Sequence, residues 1–141
     1  MFRKLLFLFV LFAAVGSAFA DNNVTLEING VTVQGGLVYV AVYSNENDYK
    51  AENPFIRFIL EPVNSTITRG LELPNGEYVV TIFQDVNSNG VLDTNFLGMP
   101  REPVGITNYN GRGIPGGFQK LKMPVNNNST RITVNMGNVR L

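Results

Sequence analysis

The chain has 141 residues with 11 basic and 11 acidic side chains, and it contains no Cys, His or Trp. Those absences exclude Ser-His and Cys-His nucleophiles and every zinc site built on His or Cys. A formal net charge of zero without a basic stripe gives no nucleic-acid footprint.

The first twenty residues, MFRKLLFLFVLFAAVGSAFA, join a basic start at Arg3 and Lys4 to an apolar run over 5–15 and a small-x-small ending at Ala18 and Ala20. This is the pattern of an export signal removed after Ala20. The apolar run falls short of the roughly 20 residues that cross a bilayer. The expectation is an exported protein of the periplasm, cell surface or medium, with no membrane span in its mature form. Removing Arg3 and Lys4 leaves 9 basic against 11 acidic residues, a net charge of −2. Residues 21–141 then form one domain, long enough to bury about two thirds of its unfolded surface and to fold without disulfides. An exported chain without cysteine fits a bacterial envelope better than an animal secretory pathway.

The mature chain reads as strands. Val24, Leu26 and Ile28 alternate with polar neighbours, which puts one face in a core. The segment LVYVAVY, 37–43, is apolar on both faces and predicts a central strand covered on each side. Residues 44–53 hold one or two helical turns at most. FIRFILEP, 55–62, predicts a third strand stopped by proline, and 65–71 a weakly patterned fourth. Pro74, Asn75 and Gly76 predict a tight turn with Gly at the positive-φ position. After it, Tyr78, Val80 and Ile82 face one side, with Val79, Thr81 and Phe83 on the other. GFQKLKMPV predicts a strand with Gln119, Leu121 and Met123 opposite Phe118, Lys120 and Lys122, the lysines forming a solvated face. The last strand points Ile132, Val134 and Met136 inward and Arg131, Thr133 and Asn135 outward. About seven short strands predict an all-β fold, a single antiparallel β-sandwich of immunoglobulin-like type.

One segment breaks this economy. Residues 85–116 hold six Gly and three Pro with no convincing strand, and structureless loops beyond about 15 residues are usually functional. Within it, DVNSNGVLDTNFLGMP sets oxygen-bearing side chains at alternate positions. Counting Asp85 as first, Asn87 is third, Asn89 fifth, Gly90 sixth, Val91 seventh and Asp93 ninth. Calcium takes six to eight oxygens, and a loop wrapped around it needs a Gly at the sharp turn and a backbone carbonyl at the seventh position. Leu92 would tuck the loop against the core. The twelfth position, Phe96, cannot supply the usual carboxylate, so Asn95, Glu102 or water must complete the shell, and the Phe96 ring is expected to fill the sandwich. The expected site is Asp85, Asn87, Asn89, Val91, Asp93, Asn95 and Glu102 holding Ca²⁺, with affinity on the order of 10⁻⁴ to 10⁻³ M. The competing reading is a run of Asx turns whose oxygens bond their own backbone.

The stretch LPNGEYVVTIFQDVNSNGVLDTNFLGMPREPVGITN, from Leu73 to Asn108, resembles the core signature of the bacterial DUF2141 family. That signature is a Leu-Pro-x-Gly-x-Tyr strand, a D-x-N-x-N-G-x-L-D-x-N loop and a Gly-x-Pro-x-Glu step. GGFQKLKMPV is similar to the family's following Phe-containing strand. The resemblance implies a transthyretin-like or prealbumin-like β-sandwich and export, and it implies no activity. It carries the loop over to Asp85, Asn87, Asn89 and Asp93, and the acid after the Gly-Pro step to Glu102. The family's signature continues with a Gly-aromatic-Ser/Thr-Asn segment, matched here by Gly105 to Asn108, and Ile106 departs from the aromatic often found in it.

Two functions compete. The first is a non-enzymatic, calcium-stabilised envelope module in which 101–116, with Tyr109 and Arg112, presents a surface to a protein or peptide partner. Carbohydrate is the less favoured ligand, because without Trp only Tyr109 offers a stacking platform. The second is a carboxylate- or metal-assisted hydrolase of glycans using Asp85, Asp93 and Glu102. An enzyme needs a cleft beside those acids. The export reading has its own check: the intact mass of the exported product should correspond to a chain starting at Asp21, and retention of residues 1–20 would refute it.

Overall fold

The computed structural model describes residues 21–129 and 131–141; the expected signal segment, residues 1–20, lies outside them. Two sheets face each other. The first has the order β4-β1-β8, from β1 (Asn22–Asn29), β4 (Thr66–Leu73) and β8 (Arg131–Asn135). The second runs β3-β2-β5-β6, from β2 (Val38–Tyr43), β3 (Ile56–Leu60), β5 (Gly76–Gln84) and β6 (Val104–Ile106). A short β7 (Met123–Val125) pairs with the start of β5. Neighbours are antiparallel except β1 and β8, which are parallel. The expected β-sandwich is therefore present, with eight strands among the described residues.

Alternation builds the core. Val24, Leu26 and Ile28 of β1, Val38, Val40 and Val42 of β2, Tyr78, Val80 and Ile82 of β5, and Ile132 and Val134 of β8 meet between the sheets. Each buried aliphatic side chain contributes about 1.5–3 kcal/mol of transfer free energy. Met136 packs against this core from its edge. Gly105 permits the close approach of β6, since a Cβ there would lie 2.7 Å from Val134 Cγ1.

A second cluster covers one end of the outer face of the larger sheet. Tyr43 and Val79 pack there with Phe118 and Leu121, and Tyr49 and Tyr109 join them. Helix α1 (Glu46–Lys50) supplies Tyr49; its N-cap Asn45 accepts the Asp48 N–H at 2.9 Å, which satisfies an otherwise unpaired first-turn donor. The segment expected as a strand from Phe118 is instead helix α2 (Phe118–Leu121) followed by β7. Helical spacing puts residues three apart on one side, so Phe118 and Leu121 are both buried, where a strand would have split them. Lys122 leaves the helix to pair with Glu77 at 2.6 Å, and Lys120 stays exposed.

Three further expectations change. Residues 85–116 do contain a strand, β6, which takes the β5 edge opposite 81–83. Gly76 does not take a positive φ, because the 74–76 link carries the chain from one sheet to the other instead of closing a hairpin. Strand β2 is covered on both faces only near Tyr43. At Tyr39 its outer face is open to a groove. Among the described residues, no helix is long and apolar enough to cross a membrane.

Ile82 is 3% exposed while Phe83, its neighbour, stands half-buried on the other face. Ile82→Ala should cost about 2–5 kcal/mol in chemical denaturation, and Phe83→Ala clearly less. Equal losses at both would mean the faces of β5 are wrongly assigned.

Candidate functional site

Strand β5 delivers Gln84 and Asp85 to one end of the sandwich, and both are buried. The Gln84 amide substitutes for a missing strand. Its Oε1 accepts the Thr32 N–H at 2.9 Å, and its Nε2 donates to the carbonyls of Thr32 and Gly36 at 2.7 and 3.0 Å. The Asp85 N–H donates to Leu37 O at 2.9 Å. Gly36, at φ +99°, must be glycine here, because a Cβ would lie 1.8 Å from Asp85 O.

The Asp85 carboxylate then organises the turn that follows. Its Oδ1 accepts the Asn89 N–H at 3.1 Å and its Oδ2 the Gly90 N–H at 2.8 Å. The chain can fold back this tightly because Ser88 and Gly90 take positive φ, 60° and 78°. Asn87 Oδ1 accepts from Asn89 N, and Asn89 Oδ1 from Val91 N, the Asx pattern expected of such a run. The Asn87 amide donates to Asp93 Oδ2 at 2.5 Å, and the Asn89 amide donates to both Asp93 oxygens at 3.1 and 3.0 Å. Asp85, Asn87, Asn89 and Asp93 are thus brought around one turn, with Val91 at its exposed outer side.

Glu102 has a different place. It is 2% exposed, and its Oε1 accepts the Val86 N–H and its Oε2 the Asp93 N–H, each at 3.0 Å. It fastens the two ends of the 86–93 turn to each other. Nothing in the spacing distinguishes this role from that of a ligand; the signal was only that an acid follows a Gly-Pro step. Asn95 also looks inward on its own turn, with Oδ1 accepting from Leu97 N at 2.9 Å and Met99 N at 3.0 Å. The site therefore gathers four of the expected side chains, and it employs Glu102 and Asn95 in holding backbone.

Among the described residues, no three acidic side chains come together closely enough to hold a metal by themselves. Among the described residues none of Asp85, Asp93 and Glu102 has a basic partner; the ion pairs there are Lys50 with Glu46, Lys122 with Glu77 and Arg131 with Glu27. Phe96 does not fill the sandwich. It is 94% exposed at the tip of a turn closed by the Thr94–Pro100 bridge. Leu92 is 38% exposed and does not reach the core. Tyr109, expected on a recognition surface, is turned into the second cluster, with its hydroxyl donating to Gly113 O at 2.5 Å, and burial raises its pKa. Arg112 and Ile114 remain exposed beside it.

A groove of about 850 Å³ lies next to the loop, on the outer face of the larger sheet. Sequence reading missed it, because it depends on which strands become neighbours. Gly90, Val91 and Leu92 line it, whereas the three acids do not. On the far side, burial raises the pKa values of Tyr43 and Tyr49, and a Thr81 hydrogen bond partly offsets the rise at Tyr43.

Glu102→Gln should leave one acceptor and turn an NH₂ toward a backbone N–H, costing about 1–3 kcal/mol in calcium-free buffer. Hydrogen exchange at the Val86 or Asp93 amide should accelerate. Unchanged exchange at both amides would remove Glu102 from the fastening role.

No curated protein and no solved structure matches the chain. The family model described as "Uncharacterized protein conserved in bacteria (DUF2141)" matches residues 26–133, from β1 to β8. The loop that joins β5 to β6, with Asp85 and Glu102 beneath it, falls within that match, and the chain belongs to this bacterial DUF2141 family.

Proposed function

We propose that the chain is an exported, non-enzymatic module of the bacterial envelope whose 85–93 loop is locked by calcium and whose surface around that loop docks a protein or peptide. The observation that carries this reading is a gathering of oxygens without a counter-charge: Asp85 and Asp93 share one turn with Asn87 and Asn89, and among the described residues no basic side chain pairs with either acid. Uncompensated acids crowded on one turn favour a cation among them. The donor set is hard and all-oxygen: two carboxylates, two amides and the Val91 carbonyl, with water completing the shell. The amides now direct nitrogen at Asp93. Rotation of each terminal amide exchanges nitrogen for oxygen, which converts that network into ligands.

Two features favour a module over a hydrolase. Asp85 and Glu102 spend their oxygens on backbone N–H groups, and the neighbouring groove is not lined by any of the three acids. Exposed Phe96 and Leu97, 94% and 64% accessible at the tip of the loop, are the kind of apolar contact that a partner covers.

Calorimetric titration with calcium tests the reading, together with thermal melts in calcium and in EDTA. At a free concentration of 100 times Kd the gain should be about 2.7 kcal/mol. Asp93→Ala should abolish that gain. Asp85→Ala should also weaken the ion-free fold, because its carboxylate caps two backbone N–H groups. Phe96→Ala should leave stability within about 0.5 kcal/mol in either buffer. A wild-type melt indifferent to millimolar calcium would defeat the calcium reading.

A further inference from the structure

The groove on the outer face of the larger sheet has a built shape. Two rows of side chains cross the sheet: Arg57, Ala41, Thr81 and Ile106, then Ile59, Tyr39, Phe83 and Val104. Ala41 and Thr81 are small, so the first row forms a low floor. On one side the Tyr39 and Phe83 rings stack at 4.8 Å with an interplanar angle of 9°. On the other side Tyr43 meets Tyr49 edge to face at 5.2 Å. Tyr39 and Tyr43 are four residues apart on one strand, so their Cα atoms stand about 13 Å apart, which leaves room for a slender molecule between the aromatic walls. The cation loop overhangs the first wall. A Cβ on Gly90 would sit 3.8 Å from the Tyr39 hydroxyl, and Val91 and Leu92 continue the rim.

The polar groups select the class of ligand. Arg57 lines the groove from the edge strand β3 and forms no ion pair among the described residues. Lys50, the other basic lining residue, is held by Glu46 at 2.8 Å. Glu52 also lines the groove and disfavours a second anionic group at its end. A guanidinium matches the planar oxygens of an acid head group better than an ammonium does. A groove of about 850 Å³ is within the range of small-molecule sites, which are mostly apolar with a few placed polar groups.

We propose that this groove binds a small amphipathic organic anion, with its apolar body over Ala41 and Thr81 between the aromatic walls and its acid group on Arg57. The proposal goes beyond the calcium-locked module and does not depend on it.

The test uses 8-anilinonaphthalene-1-sulfonate as an aromatic anion and N-phenyl-1-naphthylamine as its uncharged counterpart. Both are titrated by fluorescence in EDTA, so that the result is independent of any cation. The anion should bind the wild-type protein roughly tenfold more tightly than the neutral probe, equivalent to one good charge-assisted contact. Arg57→Gln should remove that advantage and leave the neutral probe unaffected. Ala41→Leu raises the floor and should abolish binding of both, with the fold checked by melting. If Arg57→Gln leaves the anion's affinity unchanged, the acid-binding assignment is overturned. If Ala41→Leu folds and still binds both probes, they occupy another surface and the groove is not the site.

Discussion

Two carboxylates without a basic partner among the described residues are buried where β5 leaves the sandwich, and the shape of the 85–93 turn depends on them. Asp85 and Glu102 are each 2% exposed. Burying a charge is costly unless it is paired or well hydrogen-bonded. Here the bonding comes from four backbone N–H groups, those of Asn89, Gly90, Val86 and Asp93. Such charge-assisted bonds are worth about 1.5–3 kcal/mol each, and none forms unless the loop adopts this one path. Asp85 sets the tight turn. Glu102 then joins its beginning to its end.

That arrangement requires a rigid base, which β5 provides. It pairs with β2 over 79–84, with β7 at its start and with β6 near its end. The Gln84 N–H donates to Pro103 O at 3.0 Å, so the loop leaves and returns at neighbouring positions. Pinning both ends in the sheet confines the closure entropy to the residues between them. Residues 94–100 need no core of their own, because Asn95 and the Thr94–Pro100 bridge close them as a separate small turn. Phe96 is exposed for this reason.

Period-two patterning made the sandwich legible, since Leu26, Ile28, Val80, Ile82, Ile132 and Val134 all turned inward as their spacing predicts. Short elements were not legible. Strand β6 is three residues long and contains Gly105, which is glycine because Val134 leaves no room for a Cβ. Helix α2 is four residues long, too short for periodicity to separate it from a strand. At the loop, Asp85, Asn87, Asn89 and Asp93 are near in sequence and lie around one turn. Local spacing could not assign Glu102, whose function is set by which N–H groups the fold places before it. The groove was wholly hidden, because Arg57, Ala41, Thr81 and Ile106 come from four strands.

The loop and the groove share residues. Gly90 donates to Asp85 and also lies over Tyr39, and the next two residues, Val91 and Leu92, form the rim. If calcium orders 85–93, it also fixes one wall of the groove. A ligand held against that wall would then meet residues already in place and would lose less conformational freedom on binding. Linkage makes the effect reciprocal: whatever factor calcium contributes to ligand affinity, the ligand must return to calcium affinity. With Asp85 and Asp93 as its only charged side chains, a calcium site in this loop would be weak, so such a return would matter most at calcium concentrations near its Kd. The juxtaposition of an oxygen-rich turn with an aromatic groove therefore gives each feature a physical reason to lie beside the other.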